Sequence, residues 1–68
     1  MNVEVRTIDG ATLGKGRMIS SVALGLQRLD QVVFPFVGGC WIIQVRHILV
    51  SKFDGEAEMT FLVDPRDP

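Results

Sequence analysis

Few residues in this sequence have types and spacing that could support chemistry, and the most suggestive are Gly14, Lys15 and Gly16 in succession. A lysine beside glycine occurs in phosphate-binding loops, which require the pattern G-x-x-x-x-G-K-[ST] between a strand and a helix. Here the preceding glycine, Gly10, is one position too close, and Gly16 occupies the place of the hydroxyl residue. We therefore interpret the triplet as a solvated, glycine-rich bend.

The single histidine, His47, and the single cysteine, Cys40, have no partners in the sequence that would make them reactive. Histidine catalysis needs a nucleophile or an orienting carboxylate beside it, and no serine stands in a context that marks a nucleophile. One cysteine excludes an internal disulfide and a multi-cysteine zinc site, so Cys40 is expected to be a small buried apolar side chain. We predict no catalytic residues, no metal and no cofactor, and a reducing, cytoplasmic setting.

Charge and length narrow the function classes further. The chain has 68 residues, 47% of them hydrophobic, and its 7 basic and 8 acidic residues give a formal net charge of −1. The basic residues are scattered, so neither a nucleic acid nor an anionic membrane is an expected partner. The N-terminus lacks the apolar core of a signal peptide, and the apolar stretch 32–50 is too interrupted to span a bilayer. Glu56 and Glu58 are interpreted as a solvated edge that resists aggregation.

The elements that must position these residues begin with a hairpin. Apolar and charged residues alternate over 3–6, which is strand periodicity, and the Asp-Gly pair at 9–10 is a strong turn signal. We predict a three-residue loop over 8–10 with Gly10 in the left-handed region, since this register keeps apolar residues on one side. Glycines 14 and 16 then permit a bulge or bend. The expected pairs are Thr7 with Ala11 and Val5 with Leu13.

A second hairpin is predicted over 41–63, with a turn at 53–55. The expected inward row of its first strand is Trp41, Ile43, Val45, His47 and Leu49. The other row is Cys40, Ile42, Gln44, Arg46, Ile48 and Val50. The expected pairs with the return strand are Leu49 with Met59, His47 with Phe61 and Val45 with Val63.

The middle of the chain has two interpretations. Apolar residues at 22, 26, 29 and 33 have helical spacing, and Ser20 or Ser21 could cap a helix. Residues 22, 24 and 26 also alternate as in a strand, and Gly25 weakens a helix. We predict a short helix over 22–29, then an edge strand over 31–36 that contains Pro35, and a turn at 38–39.

The fold class predicted is mainly β: a small barrel-like or single-sheet domain of four to five strands built from two hairpins, with one short helix. An α+β arrangement is the alternative. One domain is expected over 1–64, with 65–68 as a frayed tail, and no family motif is recognisable in the sequence.

Function follows only from an anomaly in the second hairpin, where the expected outward row is not properly polar because it contains Ile42, Ile48 and Val50. A contiguous exposed apolar patch marks an interface; the alternative is that the middle helix covers it. The expected interface residues are Ile42, Ile48, Val50 and Leu62. We predict a non-enzymatic binding or assembly module that forms a homo-oligomer. The alternative is an oligomeric small-molecule-binding protein or enzyme with its site at the subunit junction. The candidate ligand-lining residues are then Trp41, Gln44, Arg46 and His47. A small-barrel nucleic-acid binder ranks third, because basic stripes and stacking aromatics are absent.

Overall fold

The structure, a computed structural model, describes residues 1–50 and 57–65. Its five strands form one curled sheet, a half-barrel, in the order β2-β1-β5-β4-β3. The two central strands, β1 and β5, run parallel, and the other neighbours are antiparallel. The elements are β1 (Asn2–Thr7), β2 (Thr12–Arg17), α1 (Ser20–Gly25), β3 (Gln31–Val32), β4 (Trp41–Val50) and β5 (Ala57–Pro65). The predicted mainly β class with one short helix is confirmed.

The first hairpin has the predicted loop but not the predicted register throughout. The Thr7 N–H donates to the Ala11 carbonyl at 2.8 Å, and Gly10 has a φ of +98°, as expected for a three-residue loop. A bulge between Val5 and Arg6 then shifts the ladder, so Val5 lies opposite Gly14 and not Leu13. The shift keeps Val5 in the core because the small Gly14 leaves room for side chains packed above β2.

The second hairpin has a different register from the one expected. Val45 lies opposite Leu62, Arg46 opposite Phe61 and Ile48 opposite Met59, each one residue earlier in β5 than predicted. A register shift between Ile43 and Val45, at which Gln44 is the extra residue of a bulge, then moves Trp41, Ile42 and Ile43 one further residue along β5. The predicted turn at 53–55 lies outside the described residues, as do 66–68 of the predicted tail.

The bulge at Gln44 also changes which side chains of β4 face the core. Ile43 lies opposite the buried Val63, as the alternating pattern predicts. Beyond the bulge, Arg46 and Ile48 share the core side with Phe61 and Met59. The predicted inward row is therefore wrong from Val45 onwards, and His47 and Leu49 are exposed on the opposite side.

The helix α1 is shorter and earlier than predicted. It spans Ser20–Gly25 after Ile19 as N-cap, with no side-chain capping bond, so neither serine caps it. Leu26 is already extended. The next residues form a turn over 27–30 in which the Asp30 carboxylate accepts from the Gln27 N–H at 2.8 Å. Leu29, at φ 75°, donates its N–H to the Ile43 carbonyl, which ties this turn to β4.

The segment after β3 covers the sheet instead of extending it. β3 is an edge strand as predicted, but it has only two residues, and Phe34 and Phe36 then turn over the core. The ring centroids of Phe34 and Phe61 are 5.5 Å apart. Phe36 and Val37 lie directly above Gly16 and Gly14. The interpretation of the glycine triplet as a solvated bend is therefore wrong. The triplet is part of β2, and aromatic and aliphatic side chains pack so closely on its two glycines that a larger residue would not fit.

The core consists of one face of the sheet together with α1 and the segment 33–40. Its buried residues are Val3, Val5, Ala23, Val32, Phe34, Val37, Ile43, Met59, Phe61 and Val63. Trp41 packs against this cluster half-buried, while Cys40 is also only partly covered, contrary to the expectation of a buried cysteine. Within 1–50 and 57–65, no helix is long and apolar enough to cross a membrane.

Candidate functional site

The face of the sheet away from the core, which we call the solvent face, carries the side chains available for function. Paired residues on neighbouring strands point to the same side, so the pairings define its rows. One row runs from Lys15 through Glu4 and Thr60 to His47, and a second from Arg17 through Asn2 and Glu58 to Leu49. The β2 end of each row is basic, and the β4 end of the second row is apolar.

Four apolar side chains lie along β4 and β5 on the solvent face, with the exposed His47 between Val45 and Leu49. We define the solvent-face strip as Ile42, Val45, Leu49 and Leu62. Leu62 lies directly opposite Val45, and both Val45 and Leu49 are exposed, at 47% and 55%. This strip is part of a wider feature, since nine large apolar side chains of the described residues are exposed.

The predicted interface residues do not all meet on one face. Ile42 and Leu62 belong to the solvent-face strip, but Ile48 lies on the core side, where it is 41% exposed. Val50 pairs with Ala57 through its backbone, and its side chain is outside the described part of the structure. The sequence pattern missed Val45 and Leu49, because the bulge at Gln44 that turns them outward has no marker in the sequence.

The predicted ligand-lining residues are likewise separated. Trp41 donates its indole N–H to the Gly38 carbonyl at 2.7 Å, which holds the ring at the edge of the core. Gln44 is the bulged residue. Arg46 reaches across the core side and donates to the Leu24 carbonyl of α1 at 3.2 Å, whereas His47 is exposed on the solvent face opposite Thr60. These four side chains do not converge on a common site.

The free edge of β4 is the second feature of this region. β3 pairs only with Trp41 and Ile42, and the turn before it adds backbone bonds to Ile43. From Gln44 to Val50, no strand among the described residues pairs with β4 on the side away from β5. Alternate N–H and C=O groups of this seven-residue stretch therefore have no strand partner in the described part of the chain. We call this stretch the β4 free edge.

The opposite edge of the sheet has a different character. β2 carries Lys15 and Arg17, two glycines and the bulge opposite Val5. Charged side chains and bulges are devices by which edge strands resist pairing with other chains. The β4 free edge has Arg46 and no lysine, and it is flanked by exposed aliphatic side chains on both sides of the sheet. The β4 free edge is therefore better suited than the β2 edge to pair with a strand of another chain.

A cavity of about 380 Å³ lies on the solvent face across β2, β1 and β5. Its polar lining residues are Asn2, Glu4, Lys15, Arg17, Glu58 and Thr60. The basic side chains come from β2, and Glu58 comes from β5, two strands away. Opposite charges on the two sides suit a small polar ligand with both a cationic and an anionic group. Among the described residues, no histidine, cysteine or serine lines the cavity.

Glu4 is the best-connected charged group of this face. Arg6 donates to its carboxylate, and the Lys15 ammonium lies 3.8 Å from its second oxygen. The hydrogen bond from Arg6, and then the positive charges of Arg6 and Lys15, hold the pKa of Glu4 below its ordinary value. The alternation over 3–6 predicts a strand that contains Glu4 but not the cavity, because the parallel pairing of β1 with β5 is not visible in either hairpin. Among the described residues, no cluster of His, Cys, Asp or Glu could hold a metal ion.

Comparison with known proteins adds no assignment. The sequence matches no protein-family model, and no curated protein or solved structure is significantly similar to it.

Proposed function

We propose that this protein is a non-enzymatic assembly module that self-associates through the solvent-face strip and the adjoining β4 free edge. The observation that carries the proposal is that both features lie on the same strand. Exposed apolar side chains alone are common on small proteins. Apolar side chains beside a strand edge that no described strand pairs with from 44 to 50 form a surface that another strand can cover.

The energetics favour association by a chain of this size. A domain of about 68 residues buries only about 60% of the surface of its unfolded chain, so its own core provides limited stability. Fully burying an aliphatic side chain contributes about 1.5–3 kcal/mol. Val45 and Leu49 from each of two chains, together with new backbone hydrogen bonds along the edge, would offset much of the cost of losing free rotation and translation.

The sequence-based alternative, an oligomer that binds a small molecule at the subunit junction, ranks second. Its four expected lining residues are dispersed over both sides of β4. The cavity is instead lined by β2, β1 and β5, and only Glu58, opposite Leu49, connects it to the strip.

The proposal is tested by light scattering after size exclusion over a dilution series in the micromolar range. We expect the wild-type mass to be two chains or a higher symmetric multiple. Leu49→Lys should reduce it to one chain, because a charge would replace a side chain in the contact. The matched control is Ile8→Lys, since Ile8 is an aliphatic residue of nearly equal exposure, 53% against 55%, in the β1–β2 turn.

Two results would overturn the proposal. A wild-type mass of one chain at every concentration would show that the chain does not self-associate. An oligomer that persists in Leu49→Lys and dissociates in Ile8→Lys would place the contact at the other end of the sheet.

A further inference from the structure

We infer that the partner seated on the β4 free edge is a second copy of this chain, paired antiparallel with its own β4 so that His47 lies on the two-fold axis. The inference rests on the self-association proposed above and adds the partner strand, its direction and its register. The result would be a continuous sheet of ten strands running through both subunits.

In a pair of identical chains, β4 fits the partner's β4 better than the partner's β2. Pairing β4 with β2 of another molecule would bring it against Lys15, Arg17 and a bulge. Such a head-to-tail contact would also leave a free edge at each end and propagate into a filament. Pairing β4 with itself satisfies both free edges in one closed dimer.

The faces of the sheet restrict the register. A two-fold axis perpendicular to the sheet keeps the solvent face of one chain beside the solvent face of the other. Beyond the bulge, Val45, His47 and Leu49 lie on the solvent face, and Arg46 and Ile48 lie on the core side. Odd-numbered residues must therefore pair with odd-numbered residues, so some residue of β4 lies opposite its own copy.

The exposed aliphatic side chains of the edge select which residue that is. Within the described stretch 44–50, a centre at His47 pairs all seven positions. Its solvent-face pairs are Val45 with the partner's Leu49 and the reverse, which places aliphatic side chains against each other.

The neighbouring registers are worse. A centre at Arg46 places two guanidinium groups directly opposite, which is unfavourable. A centre at Ile48 sets His47 against the partner's Leu49, so the exposed Val45 and Leu49 no longer meet across the contact.

The core side of the edge is compatible with this arrangement. Arg46 would lie opposite the partner's Ile48. Ile48 and Leu24 are exposed on this side, at 41% and 42%, and Leu24 is the residue whose carbonyl accepts from Arg46. Exposed apolar side chains therefore border the edge on both sides of the sheet.

Symmetric disulfide formation tests the register directly. In a Cys40→Ser background, His47→Cys should give a covalent dimer in most chains under an oxidising glutathione buffer. Directly opposed residues of antiparallel strands have Cα atoms about 4.5–5.5 Å apart, within the range that a disulfide spans. Val45→Cys alone should stay largely uncrosslinked, because the two copies would be roughly 14 Å apart along the strands.

Two further variants complete the design. The double variant Val45→Cys/Leu49→Cys should crosslink, since position 45 of each chain would lie opposite position 49 of the partner. Lys15→Cys, exposed on β2 at the opposite edge, should not.

The outcomes separate this inference from the proposed function. If light scattering shows an oligomer but neither His47→Cys nor the Val45→Cys/Leu49→Cys variant crosslinks, the self-association stands and the register is wrong. Crosslinking of Val45→Cys alone or of Lys15→Cys alone, in preference to His47→Cys, would also overturn it. A wild type that is a monomer at every concentration of the dilution series would overturn both the proposed function and this inference.

Discussion

Gly16 lies directly beneath the ring of Phe36. A Cβ atom at Gly16 would stand 2.6 Å from Cγ and 2.9 Å from Cε1 of that ring. Carbon atoms do not approach this closely without displacement, so the contact requires glycine. Phe36 belongs to the segment that covers β2, and the absence of a side chain at Gly16 allows this segment to lie close to the strand.

Gly16→Ala should therefore destabilise the protein, by about 1–3 kcal/mol, the usual cost of forcing extra volume into a packed interior. The Phe36 ring must move, and its contacts with Phe34, at a centroid distance of 5.9 Å, would be disturbed. Urea denaturation of the wild type and the variant, followed by tryptophan fluorescence, gives the change in the free energy of unfolding.

Gly25→Ala is the matched control. No atom lies within 4 Å of a Cβ built on Gly25, which is the last residue of α1. Alanine is the better helix former by up to about 1 kcal/mol, so this variant should be neutral or more stable. Equal destabilisation by the two substitutions would mean that Phe36 does not restrict the space above Gly16.

The class of fold was predictable because its signals are local. The Asp-Gly pair at 9–10 and the alternation over 3–6 lie within one hairpin, and the structure has that loop with Gly10 at a positive φ. The role of Gly14 and Gly16 was not predictable in this way. These two glycines leave space for Phe36 and Val37, which lie 20 or more residues later in the chain. The sequence next to the glycines does not indicate a covering segment.

The candidate site was missed for a related reason. A residue pattern fixes alternation within a strand, but one inserted residue reverses every side chain beyond it. Gln44 is such a residue, and it turns Val45, His47 and Leu49 away from the core. Apolar side chains do lie on the outer face of this hairpin, at Val45 and Leu49. The residues predicted there were different because the prediction assumed a strand without a bulge.

The charge network around Glu4 gives a prediction for pH dependence. Since the hydrogen bond from Arg6 and the nearby positive charges lower the pKa of Glu4, the folded state favours its ionised form. That contribution to stability is present above the pKa of the unfolded chain and is lost as the pH falls through the lower, folded value. Arg6→Met should raise the Glu4 pKa towards its ordinary value, as measured by NMR titration of the side-chain carboxyl carbon.

Lys15→Met is the comparison for this titration. Lys15 lies 3.8 Å from the carboxylate and contributes only by its charge, so the variant should shift the pKa in the same direction but less. A larger shift from Lys15→Met than from Arg6→Met would contradict the assignment of the Arg6 hydrogen bond as the main cause.

The bulge itself leads to the last prediction, on deletion of Gln44. Ile43 faces the core and Val45 faces solvent, so the two already alternate as neighbours in a regular strand would. Removing Gln44 would join Ile43 directly to Val45 without changing the face or the partner of either residue. The deletion should therefore fold, with a regular ladder in place of the shift and a core still containing Ile43.

Deletion of Thr60 from β5 is the contrasting variant. Thr60 lies between the buried Met59 and Phe61 in a central strand with neighbours on both sides. Its loss would move one part of that strand's core side chains to the solvent face, so this variant should not give a cooperative unfolding transition. Circular dichroism and thermal melts compare the two deletions. A folded Thr60 deletion beside an unfolded Gln44 deletion would show instead that β4 requires the extra residue at position 44.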